Sequence, residues 1–167
     1  MSEGHMKKLL YILLLFTLTT GLSFADRGDQ FLIPKLGFMS IDLQDADPLY
    51  SIGLMYGYGI TPEITVEGEV NLGISGGESK LGDYEIWTIA GYGVYRHPVT
   101  ETNYIKAKLG VLHENVEVAG KSADDQGLAG GFGFGFKIKQ TIIELEATII
   151  DEDIIFYSVG INYPFQY

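Results

Sequence analysis

The sequence predicts an all-β protein, an eight-stranded antiparallel up-and-down transmembrane β-barrel, and three observations favour this fold. The last fourteen residues, IIFYSVGINYPFQY, alternate between large apolar side chains and mostly small or polar ones. Seven further segments repeat the alternation, which is typical of β-strands because successive side chains point to opposite faces. The third observation is a short apolar stretch near the N-terminus with the layout of a secretory signal peptide.

The N-terminal segment is predicted to direct export and then to be removed. Residues 1–5 (MSEGH) resemble the remnant of an expression tag. Lys7 and Lys8 form a positively charged segment, and the apolar run LLYILLLF follows at 9–16. Small side chains at the two positions that a signal peptidase reads predict cleavage after Ala25.

The alternative for this segment is a single transmembrane helix. The apolar run is only about half of the roughly 20 residues that such a helix needs, so the signal peptide is favoured. The expected organisation is therefore a tag remnant at 1–5, a signal peptide at 6–25 and one barrel domain at 26–167.

The composition excludes several classes of site. Acidic residues outnumber basic ones by 22 to 11, which disfavours nucleic acid as a partner. The absence of cysteine excludes a lipoprotein anchor, disulfides and thiolate metal sites, and no cofactor is predicted. The 22 glycines, 11 tyrosines and 9 phenylalanines suit many strands joined by tight turns.

The first four predicted strands span residues 32–41, 50–60, 63–74 and 84–94. In the second, one face carries Tyr50, Ile52, Leu54, Tyr56, Tyr58 and Ile60, and the other is rich in glycine. In the fourth, the more apolar face carries Tyr84, Ile86, Ala90, Tyr92 and Val94, and the opposite face carries Glu85, Trp87, Gly91 and Gly93.

The last four predicted strands span residues 104–116, 128–138, 141–149 and 154–167. Alternate connections, at 61–62, 97–103 and 139–140, are predicted to be periplasmic turns. The remaining connections, at 44–48, 75–83, 119–126 and 151–153, then form the extracellular end, where acidic residues are concentrated.

The assignment of the two faces distinguishes a soluble lipid carrier, whose interior is apolar, from a membrane barrel, whose exterior is apolar. An eight-stranded barrel is just wide enough for side chains to fill, so the glycine-rich polar face suits the lumen and the Phe, Tyr, Ile and Leu face suits lipid. The predicted lumen then contains a charge network of Lys35, Glu67, Glu69, Glu85, Lys106, Lys108, Lys137, Glu144 and Glu146.

The chain resembles the small outer-membrane β-barrel family that includes the OmpA transmembrane domain, OmpX and the opacity proteins. The resemblance covers the whole mature chain and rests on the eight alternating strands, on residues 56–73 (YGYGITPEITVEGEVNLG) and on the closing VGINYPF. It implies a monomer in the bacterial outer membrane, among lipid and lipopolysaccharide, inserted by the barrel-assembly machinery. Tyr163, Phe165 and Tyr167 would form the C-terminal assembly signal.

The acidic outer end is the main candidate binding site. Carboxylates in loops are ligands that Ca²⁺ and Mg²⁺ prefer, so Asp124, Asp125, Asp151, Glu152 and Asp153 are candidate metal ligands that could bridge to lipopolysaccharide phosphates. The alternative is that these acids only keep the surface hydrated.

Two other motifs are interpreted as having no function. Arg27-Gly28-Asp29 spells an integrin-binding tripeptide, but its predicted position is periplasmic. His113, Glu114 and Ser122 would suit a lipid A-modifying barrel enzyme, but no nucleophile has matching spacing on the strand of His113. We therefore expect a non-enzymatic protein with a filled lumen that contributes to membrane integrity and contacts other surfaces, by adhesion or through ions and lipopolysaccharide, with its acidic loops. The alternatives are a narrow porin for small solutes and the lipid A-modifying enzyme.

Overall fold

The computed structural model of the chain describes residues 27–41, 47–75, 78–79, 82–118, 120–139, 141–151 and 154–165. At residues 75, 78–79, 82 and 164–165 it describes the backbone but not the side chain. The expected tag remnant and signal peptide, and the candidate residues Glu152, Asp153 and Tyr167, lie outside the described residues. Within the described ranges, no helix combines the length and apolarity needed to cross a membrane.

The described secondary structure is a single antiparallel sheet closed on itself. Its strands are β1 (Gln30–Ile41), β2 (Leu49–Gly59), β3 (Ile64–Ser75), β4 (Glu78–Ser79), β5 (Gly82–Pro98), β6 (Asn103–Val118), β7 (Lys121–Ile138), β8 (Thr141–Asp151) and β9 (Ile154–Phe165). The two-residue β4 pairs only with the start of β5. The other eight strands follow one another around the barrel, and pairing of β3 with β5 and of β1 with β9 completes it. The predicted fold class is confirmed.

Two turns at the end that the sequence predicts to be periplasmic, called the periplasmic end below, share one construction, which explains why the chain reverses there. The hydroxyl oxygen of Thr61 accepts a hydrogen bond from the amide of Ile64 at 3.0 Å, and that of Thr100 accepts one from the amide of Asn103 at 3.0 Å. Threonine hydroxyls that accept from a nearby backbone amide are a usual device of turns.

The outer surface of the barrel is apolar over most of its height. Leu128 and Phe132, for example, expose 78% and 74% of their surface. Soluble proteins rarely expose so many large apolar side chains side by side. Exposed aromatic residues border this surface towards both ends, as in the aromatic girdles of membrane barrels. They are Phe38, Tyr50, Trp87 and Tyr157 towards the outer end, and Tyr56, Tyr58, Phe134 and Tyr163 towards the periplasmic end.

Strand β5 has the opposite orientation to the predicted one. Its more apolar face points into the lumen, where Tyr84, Ile86, Ala90, Tyr92 and Val94 are buried, whereas Glu85, Trp87, Gly91 and Gly93 face outward. The prediction was wrong because it assumed that apolar side chains always face lipid. The outer half of this lumen is itself apolar, so a strand that fills it presents its apolar face inward.

The connection predicted at 119–126 is shorter in the structure. β6 runs to Val118 and β7 begins at Lys121, so only Ala119 and Gly120 join them, with Gly120 at a φ of 76°. β7 pairs with β8 only from Gly130 onwards, so the preceding part of β7 pairs with β6 alone. Residues 121–128 are all exposed, so backbone hydrogen bonding to β6, and not the burial of side chains, maintains this part of β7.

Candidate functional site

A cluster of charged side chains fills the middle and the periplasmic half of the lumen. This ionic network contains four basic and four acidic residues, so its formal charges cancel. They come from five strands: Lys35 on β1, Glu67 and Glu69 on β3, Arg96 on β5, Lys106 and Lys108 on β6, and Glu144 and Glu146 on β8. Each is at most 6% exposed, so the network lies out of contact with bulk solvent.

The middle of the ionic network is built around two lysines that share the same two carboxylates. The Nζ atom of Lys35 lies 2.7 Å from Glu69 and 2.5 Å from Glu146, and that of Lys108 lies 2.9 Å and 3.1 Å from them. Lys108 Nζ also lies 4.3 Å from the centroid of the Tyr92 ring. These contacts connect β1, β3, β5, β6 and β8 across the barrel.

The periplasmic side of the ionic network is centred on Lys106 and Arg96. Lys106 Nζ lies 2.5 Å from Glu146 and 2.6 Å from Glu144. Arg96 lies 2.5 Å from Glu67 and 3.5 Å from Glu144. The hydroxyl of Tyr104 donates a hydrogen bond to Glu144. Every carboxylate of the network therefore has a cationic nitrogen within 2.7 Å.

Inward-facing glycines make room for these long side chains. A Cβ atom on Gly133 would lie 2.9 Å from Cγ of Glu146 and 3.0 Å from Cγ of Lys106, its two neighbours across the sheet. A Cβ atom on Gly135 would lie 2.1 Å from Cζ of Tyr104. The glycines thus leave space inside the lumen for the long charged side chains.

A cluster of apolar side chains fills the lumen between the ionic network and the outer rim. This apolar plug includes Met39, Leu49, Tyr84, Ile86, Leu112, Ile150, Ile154 and Phe156, each at most 4% exposed. A smaller apolar cluster of Phe31, Ile33 and Met55 lies at the level of the ionic network. The lumen is therefore filled by two successive layers, an ionic one with this cluster beside it and the apolar plug.

The structure differs from the predicted lumen charges at three positions. Glu85 is exposed on the outer face because β5 has the opposite orientation. Lys137 has the inward parity but is exposed, because it lies level with the β5–β6 turn, where its amide donates to the carbonyl of Thr102. Arg96 was not among the predicted charges, although it has the same parity as the buried Tyr92 and Val94. The other seven predicted charges lie buried in the ionic network.

Two of the three residues of the predicted assembly signal, Tyr163 and Phe165, lie on β9, the strand that closes the barrel. Tyr163 is 51% exposed on the outer face, and the backbone of Phe165 pairs with that of Gln30 at the start of β1.

Three carboxylates converge at the outer rim. Oxygen atoms of Glu114 on β6, Asp125 on β7 and Asp151 at the end of β8 all lie within 4.8 Å of one another. Only Asp125 and Asp151 belong to the predicted set of ligands. Asp124 points to the opposite face of the hairpin, where it accepts a hydrogen bond of 2.9 Å from Nδ2 of Asn115.

This rim cluster lies above the apolar band. Beyond Val111 on β6 and Leu128 on β7, the outward-facing side chains of the hairpin become polar. Burial raises the pKa of the Glu114 carboxyl, and the nearby carboxylates of Asp151 and Asp125 raise it further.

The two remaining motifs are the one around His113 and the Arg27-Gly28-Asp29 tripeptide. His113 packs against Trp87 at 5.3 Å between ring centroids, and its Nε2 atom lies 3.7 Å from Oδ1 of Asp124. The hydroxyl of Ser122 accepts a hydrogen bond of 2.5 Å from Nδ2 of Asn115 and is not in contact with His113. Ser122 and His113 thus do not form a nucleophile–base pair. The Arg27-Gly28-Asp29 segment lies beside the periplasmic end of β2, where Gly28 and Asp29 share backbone hydrogen bonds with Gly59.

A closed eight-stranded barrel with an apolar exterior and a charged, filled lumen has the architecture of the small outer-membrane barrels. Comparison with family models and with curated proteins gave no match. Among solved structures, the chain is similar to Ail, the attachment invasion locus protein of Yersinia pestis, crystallised with the heparin analogue sucrose octasulfate. That match has 18% identity and a TM-score of 0.58, covering 83% of this chain and 99% of Ail.

Two further structures show the same likeness. Neisserial surface protein A matches with 15% identity and a TM-score of 0.59, over 82% of this chain and 96% of that one. OprG from Pseudomonas aeruginosa matches with 16% identity and a TM-score of 0.58, over 86% and 98%. At these identities the comparisons show the fold, which is that of small eight-stranded outer-membrane barrels.

Proposed function

We propose that this chain is a bacterial outer-membrane protein whose barrel is a closed structural element with a surface-contact role, rather than a channel. The apolar outer surface, the aromatic girdles and the likeness to outer-membrane barrels support the location. A protein with this exterior would expose a large apolar area to water in any aqueous compartment.

The observation that carries the proposal is the two-layered filling of the lumen. A solute would have to displace the ionic network, in which each carboxylate is paired, and then the apolar plug. Breaking a buried ion pair leaves an uncompensated charge and costs about 3 to 5 kcal/mol. Since the network links five strands, opening a continuous path would break several pairs at once.

Electrical recording tests this proposal. Refolded protein inserted into planar lipid bilayers is expected to give no steady conductance above that of the protein-free bilayer. Insertion is verified independently by protease protection of the same protein in vesicles. Steady steps on the nanosiemens scale from inserted protein would overturn the closed-barrel proposal and favour the narrow porin.

The acidic outer end supports contact with the lipopolysaccharide leaflet through divalent ions. Glu117, Asp124, Asp125 and Asp151 give this end a negative charge that would repel free polyanions. The binding of a sulfated sugar by Ail is therefore not carried over to this chain. Lipopolysaccharide should co-purify with the protein in calcium and be released by a chelator, and retention that ignores the chelator would contradict an ion-mediated contact.

The C-terminal strand is proposed to carry the signal for the barrel-assembly machinery. The outward aromatic Tyr163 and the position of β9 at the closure of the barrel support this role. Deletion of residues 165–167 should reduce the amount of protein in the outer membrane more than it lowers the stability of protein refolded in vitro. Normal delivery of the truncated protein would contradict the proposal.

A further inference from the structure

We propose that Glu114, Asp125 and Asp151 form a binding site for one Ca²⁺ ion at the outer rim of the barrel. The inference deepens the proposed surface contact by naming its ion site, and it rests on the proposed function only for placing this rim outside the cell. Ion binding itself is a property of the refolded chain and is measured without lipopolysaccharide.

The three ligands come from three different strands, which fixes their relative positions. Glu114 and Asp125 face each other as a pair between β6 and β7. Asp151 ends β8, where the register between β8 and β9 shifts between Ile149 and Asp151. Strict alternation along β8 would point the side chain of Asp151 away from the lumen. The irregularity instead lets it approach Glu114 and Asp125, as β-bulges often redirect a side chain near a site.

A second, independent observation points to a ligand at this cluster. Glu114 is only 5% exposed, and its Oε2 atom is buried without a hydrogen-bond partner. In the described part of the chain, no Lys, Arg or His forms a salt bridge with Glu114, Asp125 or Asp151. A buried carboxylate oxygen without a donor is unfavourable, since buried polar groups are normally paired.

The chemistry of the cluster favours a hard divalent cation, and Ca²⁺ over Mg²⁺. Three carboxylates bind hard cations through oxygen, and Ca²⁺ accepts 6–8 oxygens at about 2.3–2.6 Å in flexible geometry. Two oxygens on one Ca²⁺ can therefore lie up to roughly 5 Å apart, which accommodates the separation of up to 4.8 Å found here. Mg²⁺ requires near-octahedral ligands at about 2.0–2.1 Å, a tighter arrangement.

The ion can reach the site from solvent and keep free coordination positions. Asp125 and Asp151 are exposed, whereas Glu114 lies beneath them. Three carboxylates leave part of the Ca²⁺ shell to water or to phosphate oxygens of a neighbouring headgroup.

Terbium luminescence tests the site directly, because Trp87 is the only tryptophan of the chain. Trp87 pairs with Asn115, the residue after Glu114, and is therefore close enough to sensitise a bound lanthanide. Protein refolded in zwitterionic micelles free of lipopolysaccharide is titrated with Tb³⁺, and Ca²⁺ or Mg²⁺ is then added as competitor. We expect one saturable Tb³⁺ site that Ca²⁺ displaces at least tenfold more effectively than Mg²⁺.

Two matched variants separate this site from general acidity. Glu114→Gln should weaken Ca²⁺ binding at least tenfold, whereas Asp124→Asn, which removes the same charge from the opposite face of the same hairpin, should change it less than twofold. Folding of each variant is verified by its resistance to unfolding in SDS before heating. Absence of saturable binding in the native protein, or equal weakening by the two variants, would overturn the proposal. Displacement by Mg²⁺ as effective as by Ca²⁺ would overturn the assignment to Ca²⁺.

Discussion

The buried carboxylates of the lumen and of the rim differ in their partners, although their burial is similar. Glu67, Glu69, Glu144 and Glu146 each have a cationic nitrogen within 2.7 Å, whereas Glu114 at the rim faces two further carboxylates. The difference indicates two uses of buried charge in one barrel. Charges compensated within the chain fill the lumen and connect strands, and charges left uncompensated are available to an external ion.

The comparison also bears on stability. Buried ion pairs contribute little net stability relative to apolar packing, but removal of one partner is costly. Loss of one charge should therefore destabilise the ionic network, whereas loss of one carboxylate should not destabilise the rim cluster.

The largest effect is expected from Lys106→Met. Lys106 lies within 3.6 Å of Glu67, Glu144 and Glu146, so its loss leaves excess negative charge in the buried lumen. We expect a loss of about 3 to 5 kcal/mol in the free energy of unfolding, measured by urea titration in vesicles. The control Lys137→Met removes an exposed lysine and should change stability by less than about 0.5 kcal/mol. Equal effects of the two variants would show that the lumen lysine is not needed for charge compensation.

Replacement of a glutamate by glutamine should change the free energy of unfolding in opposite directions in the two regions. Glu69→Gln removes the charge paired with Lys35 and Lys108 and should destabilise the protein by about 2 kcal/mol. Glu114→Gln, measured in a chelator, removes repulsion from Asp125 and Asp151 and should stabilise the protein by about 1 kcal/mol. Urea titrations of both variants measure the two values. If both destabilised the protein, Glu114 would have a partner of its own.

Steric filling of the lumen predicts an effect smaller than that of Lys106→Met. Gly135→Ala places a Cβ atom 2.1 Å from the ring of Tyr104, which must move away from Glu144, and should cost about 1 to 3 kcal/mol. Gly91→Ala is the matched control on the outer face, where no atom lies within 4 Å of the added Cβ. Equal unfolding midpoints for the two variants would indicate a lumen with spare room.

The orientation of β5 can be tested on the native protein, without any substitution. Trp87 should be quenched by lipids brominated near the headgroup, because its side chain lies on the outer face towards the outer end. The predicted orientation would instead place Trp87 in the lumen, where brominated lipids cannot reach it. Strong quenching by aqueous iodide with none by brominated lipid would contradict the outward position.

The alternation of side chains was sufficient to predict the eight barrel strands and seven of the eight charges in the ionic network. β5 was assigned wrongly because apolarity does not label the lipid face where the lumen itself is apolar. Arg96 shares the parity of Tyr92, and an arginine in the middle of a strand is a stronger indicator of the lumen face than glycine is of either face. Arg96 could therefore have been found from its parity.

The outer end was harder to predict for a different reason. Residues 121–128 are exposed on both faces of the hairpin, so their sequence does not need to alternate between apolar and polar side chains. They form a strand because their backbone pairs with β6, which the sequence pattern does not reveal. Glu114 shares the inward parity of Lys106 and Lys108, so its burial was predictable. Its meeting with Asp125 depends on the pairing of β6 with β7, and its meeting with Asp151 depends on the bulge at the end of β8.

Anomalous X-ray diffraction from crystals soaked in a lanthanide is the most direct test of the distinction between compensated and uncompensated carboxylates. The measurement locates every cation-binding carboxylate cluster in the barrel at once. The predicted result is a single peak between Glu114, Asp125 and Asp151, with none among Glu67, Glu69, Glu144 and Glu146. A peak inside the ionic network, or the lack of any peak at the rim cluster, would contradict the distinction.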